Sequence, residues 1–175
     1  TVAAILRTDL SRRMAALEAD ASRPEMLSTM MAYAARIMIT DRPAPARVDL
    51  VRRLDIAMGA TSLTLAVDVA TRQGVTRVVD VVLPPAQRRN PAATSDGSLR
   101  SLSPDANASA RMATEVALLF TYRTVSDEDL TRYVAFTESE DGQWLARVVR
   151  EAIVDVIDAA STDAVERTRR VVARD

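Results

Sequence analysis

The 175-residue chain contains no cysteine, no histidine and no lysine. Without Cys there is no disulfide framework, no thiol nucleophile and no zinc–thiolate site. Without His or Lys the chain cannot build a Ser-His-Asp or Ser-Lys nucleophile, a Schiff base or an imidazole metal site. Aromatic residues make up only 3%, so a core has to be assembled from Ala, Leu, Val, Ile and Met. Small aliphatic side chains of that kind suit helices packed closely together. No apolar run approaches the ~20 residues that a membrane-spanning helix needs. An excess of one charge is lacking too. Twenty-three basic residues, all Arg, face 24 acidic ones for a net charge of −1, and no long block of one sign occurs. The basic footprint of a nucleic-acid binder is therefore absent.

What remains is the balance of a soluble globular protein, 48% hydrophobic and 27% charged. The length suffices for a single helical domain over residues 1–175 with a real core. The arginines would suit bidentate anion binding if clustered. They are scattered, and the codon bias of a GC-rich genome accounts for them better. The chain opens at Thr1 rather than Met, which leads us to expect an upstream segment, such as a secretory signal.

Hydrophobic periodicity predicts mostly helices. Over residues 2–21, Ala3, Leu6, Leu10, Met14, Leu17 and Ala21 recur at helical spacing, with Arg7, Arg12, Arg13 and Glu18 off that face. Ser22 and Pro24 predict the cap and first turn of a second helix running to Met38 or Ile39. After the Pro-rich stretch Asp41–Pro45, a third helix is predicted with Val48, Val51, Leu54 and Met58 on one stripe, broadened by Leu50 and Ile56. Residues 61–83 read two ways. Leu63, Leu65, Val67 and Val69 alternate like a strand and Gln73-Gly74 suits a hairpin turn. The same residues fit one helix through Leu63, Val67 and Ala70 and another through Val75, Val78, Val79, Val82 and Leu83. Residues 84–105 are rich in Pro, Ser, Asn and Ala without periodicity, an exposed loop or linker inside the domain. Ser103, Pro104 and Asp105 open the next helix, whose stripe holds Met112, Val116, Leu119 and Phe120.

The stretch SDEDLTRYVAFTESEDGQWL at 126–145 carries the most local information. Ser126 with Asp129 three residues on is a capping-box pattern, and Val125 with Leu130 is a hydrophobic staple. Asp127, Glu128 and Asp129 lie where carboxylates meet the positive end of a helix dipole, worth about 0.3–1 kcal/mol each. Ser139 with Glu140 and Asp141 repeats the arrangement. Gly142 costs about 1 kcal/mol against Ala inside a helix, which predicts close approach of the preceding helix near Tyr133 or Phe136. Trp144, Leu145, Val148, Val149, Ala152, Ile153, Val156, Ile157 and Ala160 then form one long apolar stripe, and Thr162 or Asp163 begins a helical tail.

With its acidic helix start, aromatic corner and long amphipathic helix, this stretch resembles the bacterial exported family known as domain of unknown function 2059. Phe136, Ser139 and Gly142 match the family's FY-S-x-x-G corner. Thr137 stands where the family usually has Tyr, and Glu140 where it often has Pro. Upstream, VRRLDIAMGATSLTLAVD at 51–68 is similar to the family's Leu-rich helix ending near a Gly-Ala pair, so the resemblance spans roughly 48–160 with 84–105 as an insertion. It implies an all-α protein, periplasmic or secreted, and decides 61–83 in favour of helix. It brings no catalytic residues. The resulting fold expectation is an all-α bundle of about seven or eight amphipathic helices with one long Pro/Ser-rich loop.

Three functional classes follow. The first is a non-enzymatic binding module without catalytic residues, cofactor or metal. It would hold a hydrophobic small molecule or a protein partner's segment in an apolar groove anchored by Tyr122, Tyr133, Phe136 and Trp144; the competing reading is that these rings seal a helix corner. The second is a carboxylate-based hydrolase of cell-envelope material drawing on Glu115, Glu138 and Glu151. The third is a Cu(I) binder using Met26, Met30, Met31 and Met38, residues that equally suit an irregular core. A calcium loop fails, because counting Gly142 or Gly97 as the sixth position puts Val148 or Ser103 at the twelfth, where a Glu ligand is needed.

Overall fold

The computed structural model describes residues 8–84 and 104–173. Among them it contains seven α-helices and no strand: α1 Asp9–Ala21, α2 Met26–Ile39, α3 Pro45–Met58, α4 Ala60–Val82, α5 Pro104–Thr121, α6 Asp127–Thr137 and α7 Glu140–Val172. The all-α class is as expected. Residues 2–7 of the predicted first helix, and residues 85–103 of the predicted loop, lie outside the described residues.

Several boundaries differ from expectation for local reasons. Thr8 is extended and its hydroxyl accepts from the Ser11 amide at 3.2 Å, so α1 begins at Asp9. Ser22 does not cap α2. Its hydroxyl donates to the Glu18 carbonyl at 2.7 Å and ends α1, while α2 starts after a turn in which the Met26 amide reaches the Arg23 carbonyl. Residues 60–82 form one helix rather than two, and Gly74 lies inside it. The predicted tail after Thr162 is also continuous with the helix before it, so α7 runs for 33 residues.

The chain divides into two compact units. The first comprises Thr1–Thr61 and Arg111–Arg147, the second Ser62–Ala110 and Val148–Asp175. In the first, α6 packs against α3 and α1. Met14 of α1, Ile37 of α2, Val51 and Leu54 of α3, Leu119 at the end of α5 and Leu130 and Val134 of α6 form one apolar core with Tyr122, Val125 and Tyr133. Full burial of one such aliphatic side chain is worth about 1.5–3 kcal/mol. Val51 and Leu54 of the predicted α3 stripe are fully buried, whereas Ile56 is 80% exposed. The left-handed Gly59 (φ 65°) ends α3. Asp55 then accepts from the Thr61 amide and hydroxyl, each at 2.7 Å, and so starts α4.

In the second unit α4 and α7 meet at Gly74, where an added Cβ would lie 2.3 Å from Ser161 Oγ. Arg77 and Asp158 pair at 2.8 Å on the same two helices. Val148 and Val156 of the long predicted stripe are 39% and 67% exposed. Their helical phase is as predicted, but this edge of the stripe faces solvent. Among the described residues no single helix is long and apolar enough to cross a membrane; α3 and α4 pass that test only as a pair, broken at Gly59.

Candidate functional site

The aromatic corner lies in the first unit. Ser126 Oγ accepts from the Asp129 amide at 3.1 Å and starts α6. The reciprocal half of the box is replaced: the Asp129 carboxylate pairs with Arg132, and with Arg13 of α1 at 3.4 Å. Ser139 Oγ accepts from the Gly142 amide at 3.2 Å and starts α7. A Cβ on Gly142 would fall 2.1 Å from the Phe136 carbonyl oxygen and 2.7 Å from Thr137 Cα. The predicted close approach is thus to the backbone of α6, and Ser139 and Gly142 together shape the junction between α6 and the first turn of α7.

Two further side chains fix the connection between α5 and α6. Arg47 of α3 donates to the Tyr122 carbonyl and to Asp127, both at 2.5 Å. Arg13 donates to the Thr124 carbonyl at 3.1 Å. Carbonyls at a helix end lack intrahelical partners, and guanidinium forks supply them here. This clamp was not legible beforehand, since Arg47 sits in an otherwise ordinary first helical turn.

Of the four predicted anchors, three form a row. The rings of Tyr122 and Tyr133 are 5.9 Å apart and those of Tyr133 and Phe136 are 6.3 Å apart. Both tyrosine hydroxyls donate to the same Glu18 oxygen, Tyr122 at 2.5 Å and Tyr133 at 2.8 Å. Glu18 was expected off the apolar face. It instead supplies the acceptor that two phenols in an apolar core require. Burial is the largest factor raising both phenols above the usual tyrosine range. For Tyr122 the neighbouring Tyr133 adds to it, and then Glu18; for Tyr133 the negative charge of Glu18 comes next. Tyr122 is fully buried, Tyr133 nearly so, and Trp144 is 48% exposed and joins no ring contact among the described residues. The structure therefore brings together Tyr122, Tyr133 and Phe136 but not Trp144.

The carboxylates considered for hydrolysis are separately engaged. Glu115 accepts from Arg52 at 2.8 Å, and Glu138 receives a two-pronged contact from Arg53 at 2.8 and 2.6 Å. The Arg53 hydrogen bond holds the Glu138 carboxyl below its ordinary range. Glu151 is exposed on α7. Among the described residues no group of three or more Asp or Glu is arranged to hold a metal ion.

The four methionines of α2 divide between two faces. Met26, Met30, Tyr33 and Ile37 turn inward, with Tyr33 edge-on to Phe120 at 5.6 Å. Leu27, Met31 and Met38 turn outward, 59%, 62% and 65% exposed. This outward face, absent from the predicted groove, is the site feature that the sequence reading missed; its signal is a helix apolar nearly all round. No family model matches the chain, and neither a curated protein nor a solved structure does.

Proposed function

We propose that the protein is a non-enzymatic binding module and that its first unit presents the outward face of α2 to an apolar partner. The observation that carries this reading is the run Leu27, Met31, Ala35 and Met38. These residues lie at intervals of three and four, all exposed, on a helix whose opposite side is packed. A contiguous apolar strip on a soluble surface marks a place where something else docks. Methionine suits such a face because its unbranched thioether adapts to varied partners.

The aromatic corner supports the same reading by having other work. Tyr122 and Tyr133 are buried against Glu18 and secure α1 to the α5–α6 corner, so we move the binding surface from the predicted quartet to α2. The arginine pairing of Glu115 and Glu138 favours binding over hydrolysis. Membership of the exported family that 126–145 resembles, and a periplasmic or secreted location, belong to the same proposal.

Titrating the full chain with the uncharged, environment-sensitive dye Nile red tests it. The expected result is saturable fluorescence that Met31→Glu and Met38→Glu abolish while leaving helical circular dichroism intact. No dye binding, or equal binding by the variants, would reject the proposal.

A further inference from the structure

The seven methionines of the chain differ in what surrounds their sulfur. Met14 is fully buried in the core of the first unit, and Met58 packs against that core. Met26 and Met30 turn inward on α2 and are half-buried, as Met58 is. Met31, Met38 and, on α5, Met112 are each at least 60% exposed. Met31 and Met38 are the two sulfurs of the apolar strip on α2. They lie on one face, about two helical turns or ~10 Å apart along the axis. A thioether is open to two-electron oxidants wherever they can reach it. The chain has no cysteine whose thiolate would take the oxidant first.

We infer that Met31 and Met38 form an oxidation site, at which a peroxide closes the outward face of α2 to apolar ligands. This inference rests on the binding reading above and adds its regulation. At each residue a lone pair on Sδ attacks one oxygen of hydrogen peroxide. The S–O bond forms as the O–O bond breaks, the proton of the transferred oxygen passes to the other, and that oxygen leaves as water. Sulfur loses two electrons and the peroxide gains them. The sulfoxide is polar and accepts hydrogen bonds, where the thioether was apolar. With both converted, only Leu27 and Ala35 of the strip remain apolar, and Ala35 offers little area. The fold tolerates the change, because neither sulfur belongs to the core and both sulfoxides stay in water. At Met14 the same oxygen would sit among buried apolar side chains and disrupt them, but burial shields that sulfur. A thiol-dependent sulfoxide reductase resets the site: two thiols close to a disulfide while the oxygen departs as water.

Treating the full chain with hydrogen peroxide, desalting it and titrating it with Nile red tests the inference, with tandem mass spectrometry locating each added oxygen. Met31 and Met38 are expected to oxidise at least roughly ten-fold faster than Met14. Dye binding is expected to fall in step with them while helical circular dichroism is unchanged. Met31→Leu/Met38→Leu, which keeps an apolar strip without its sulfurs, is expected to bind dye equally before and after peroxide. Met112→Leu removes an exposed sulfur away from the strip, and this variant is expected to lose binding just as the unsubstituted chain does. Dye binding that survives oxidation of Met31 and Met38 overturns the inference and leaves the binding reading in place. So does a loss of binding that Met112→Leu prevents, or oxidation of Met31 and Met38 no faster than that of Met14. A chain that binds no dye before treatment overturns both.

Discussion

The two units are built from similar amino acids with different results. In the first, eleven hydrophobic residues from five helices and their connections are buried; in the second, Gly74 is the one buried residue among those described. The second unit does not lack apolar side chains, since Val75, Val79, Val82, Val148, Val149 and Val156 all belong to it. What it lacks is convergence. In the first unit α6 packs against both α3 and α1, and their buried side chains join those of α2 and the α5–α6 connection in one core. In the second, α4 and α7 meet along a single seam at Gly74 and Ser161, and the outer edges of both apolar stripes stay in water. Apolar content alone does not make a core; the number of faces that meet does.

The contrast is broken most forcefully by deleting core volume. Leu54→Ala and Leu130→Ala, at fully buried positions, are expected to lower unfolding free energy by about 2–5 kcal/mol. Val156→Ala, at a 67% exposed position, is expected to stay within about 0.5 kcal/mol of zero. Urea denaturation followed by circular dichroism measures all three, and equal losses would erase the distinction.

Alkaline pH separates the units by a second route, because all three tyrosines lie in the first. In the folded state Tyr122 and Tyr133 bind their protons more tightly than the ordinary value of 10.0. Below that pH both folded and unfolded chains hold the proton, and the full stabilisation is present. Above it the unfolded chain releases protons that the folded chain keeps, so stability falls as pH rises. Each tyrosine still protonated contributes about 1.4 kcal/mol per pH unit to the fall. A titration of thermal midpoint from pH 8 to 11 is expected to bend downward near 10, and to bend less in Tyr133→Phe. A flat profile in the unsubstituted chain would contradict the burial of these hydroxyls.

The smallest effects sharpen the comparison at two glycines. Gly142→Ala places a methyl group against backbone of Phe136 and Thr137, which cannot step aside, and an overpacking cost of about 1–3 kcal/mol is expected. At Gly74 the nearest atom is the Ser161 hydroxyl oxygen, the end of a side chain that can rotate. There the gain of about 1 kcal/mol in helix propensity offsets much of the crowding. Gly74→Ala is therefore expected to be nearly neutral, and Gly74→Ala/Ser161→Ala more stable than Ser161→Ala alone by thermal melting.

How much of this was readable in the sequence depended on how far apart the partners lie. Ser126, Ser139 and Gly142 were legible because each acts on backbone no more than six residues away. Residues 61–83 were ambiguous because valine favours strands locally, whereas the structure makes them helical. The Glu18 contact with Tyr122 joins residues 104 positions apart, so no spacing rule reaches it. Glu18 looked like an ordinary solvated acid because its helix carries charges on either side. The aromatic row was legible as a group with two readings, an open groove or a sealed helix corner, since periodicity reports which face a residue occupies but not whether that face is already covered. On α2 the same limit applies, for a helix apolar on nearly all sides gives no hint of which side stays bare.

The single oxygen of Glu18 that serves two phenols also gives α1 a standing that its size would not suggest. A short leading helix invites removal when a protein is shortened to its sturdiest part. Here, cutting back through Ala21 would delete the acceptor for Tyr122 and Tyr133 together, leaving a matched pair of hydroxyls stranded in oil. The smallest self-sufficient version of the first unit accordingly keeps its leading helix, however peripheral that helix looks when the chain is read from left to right.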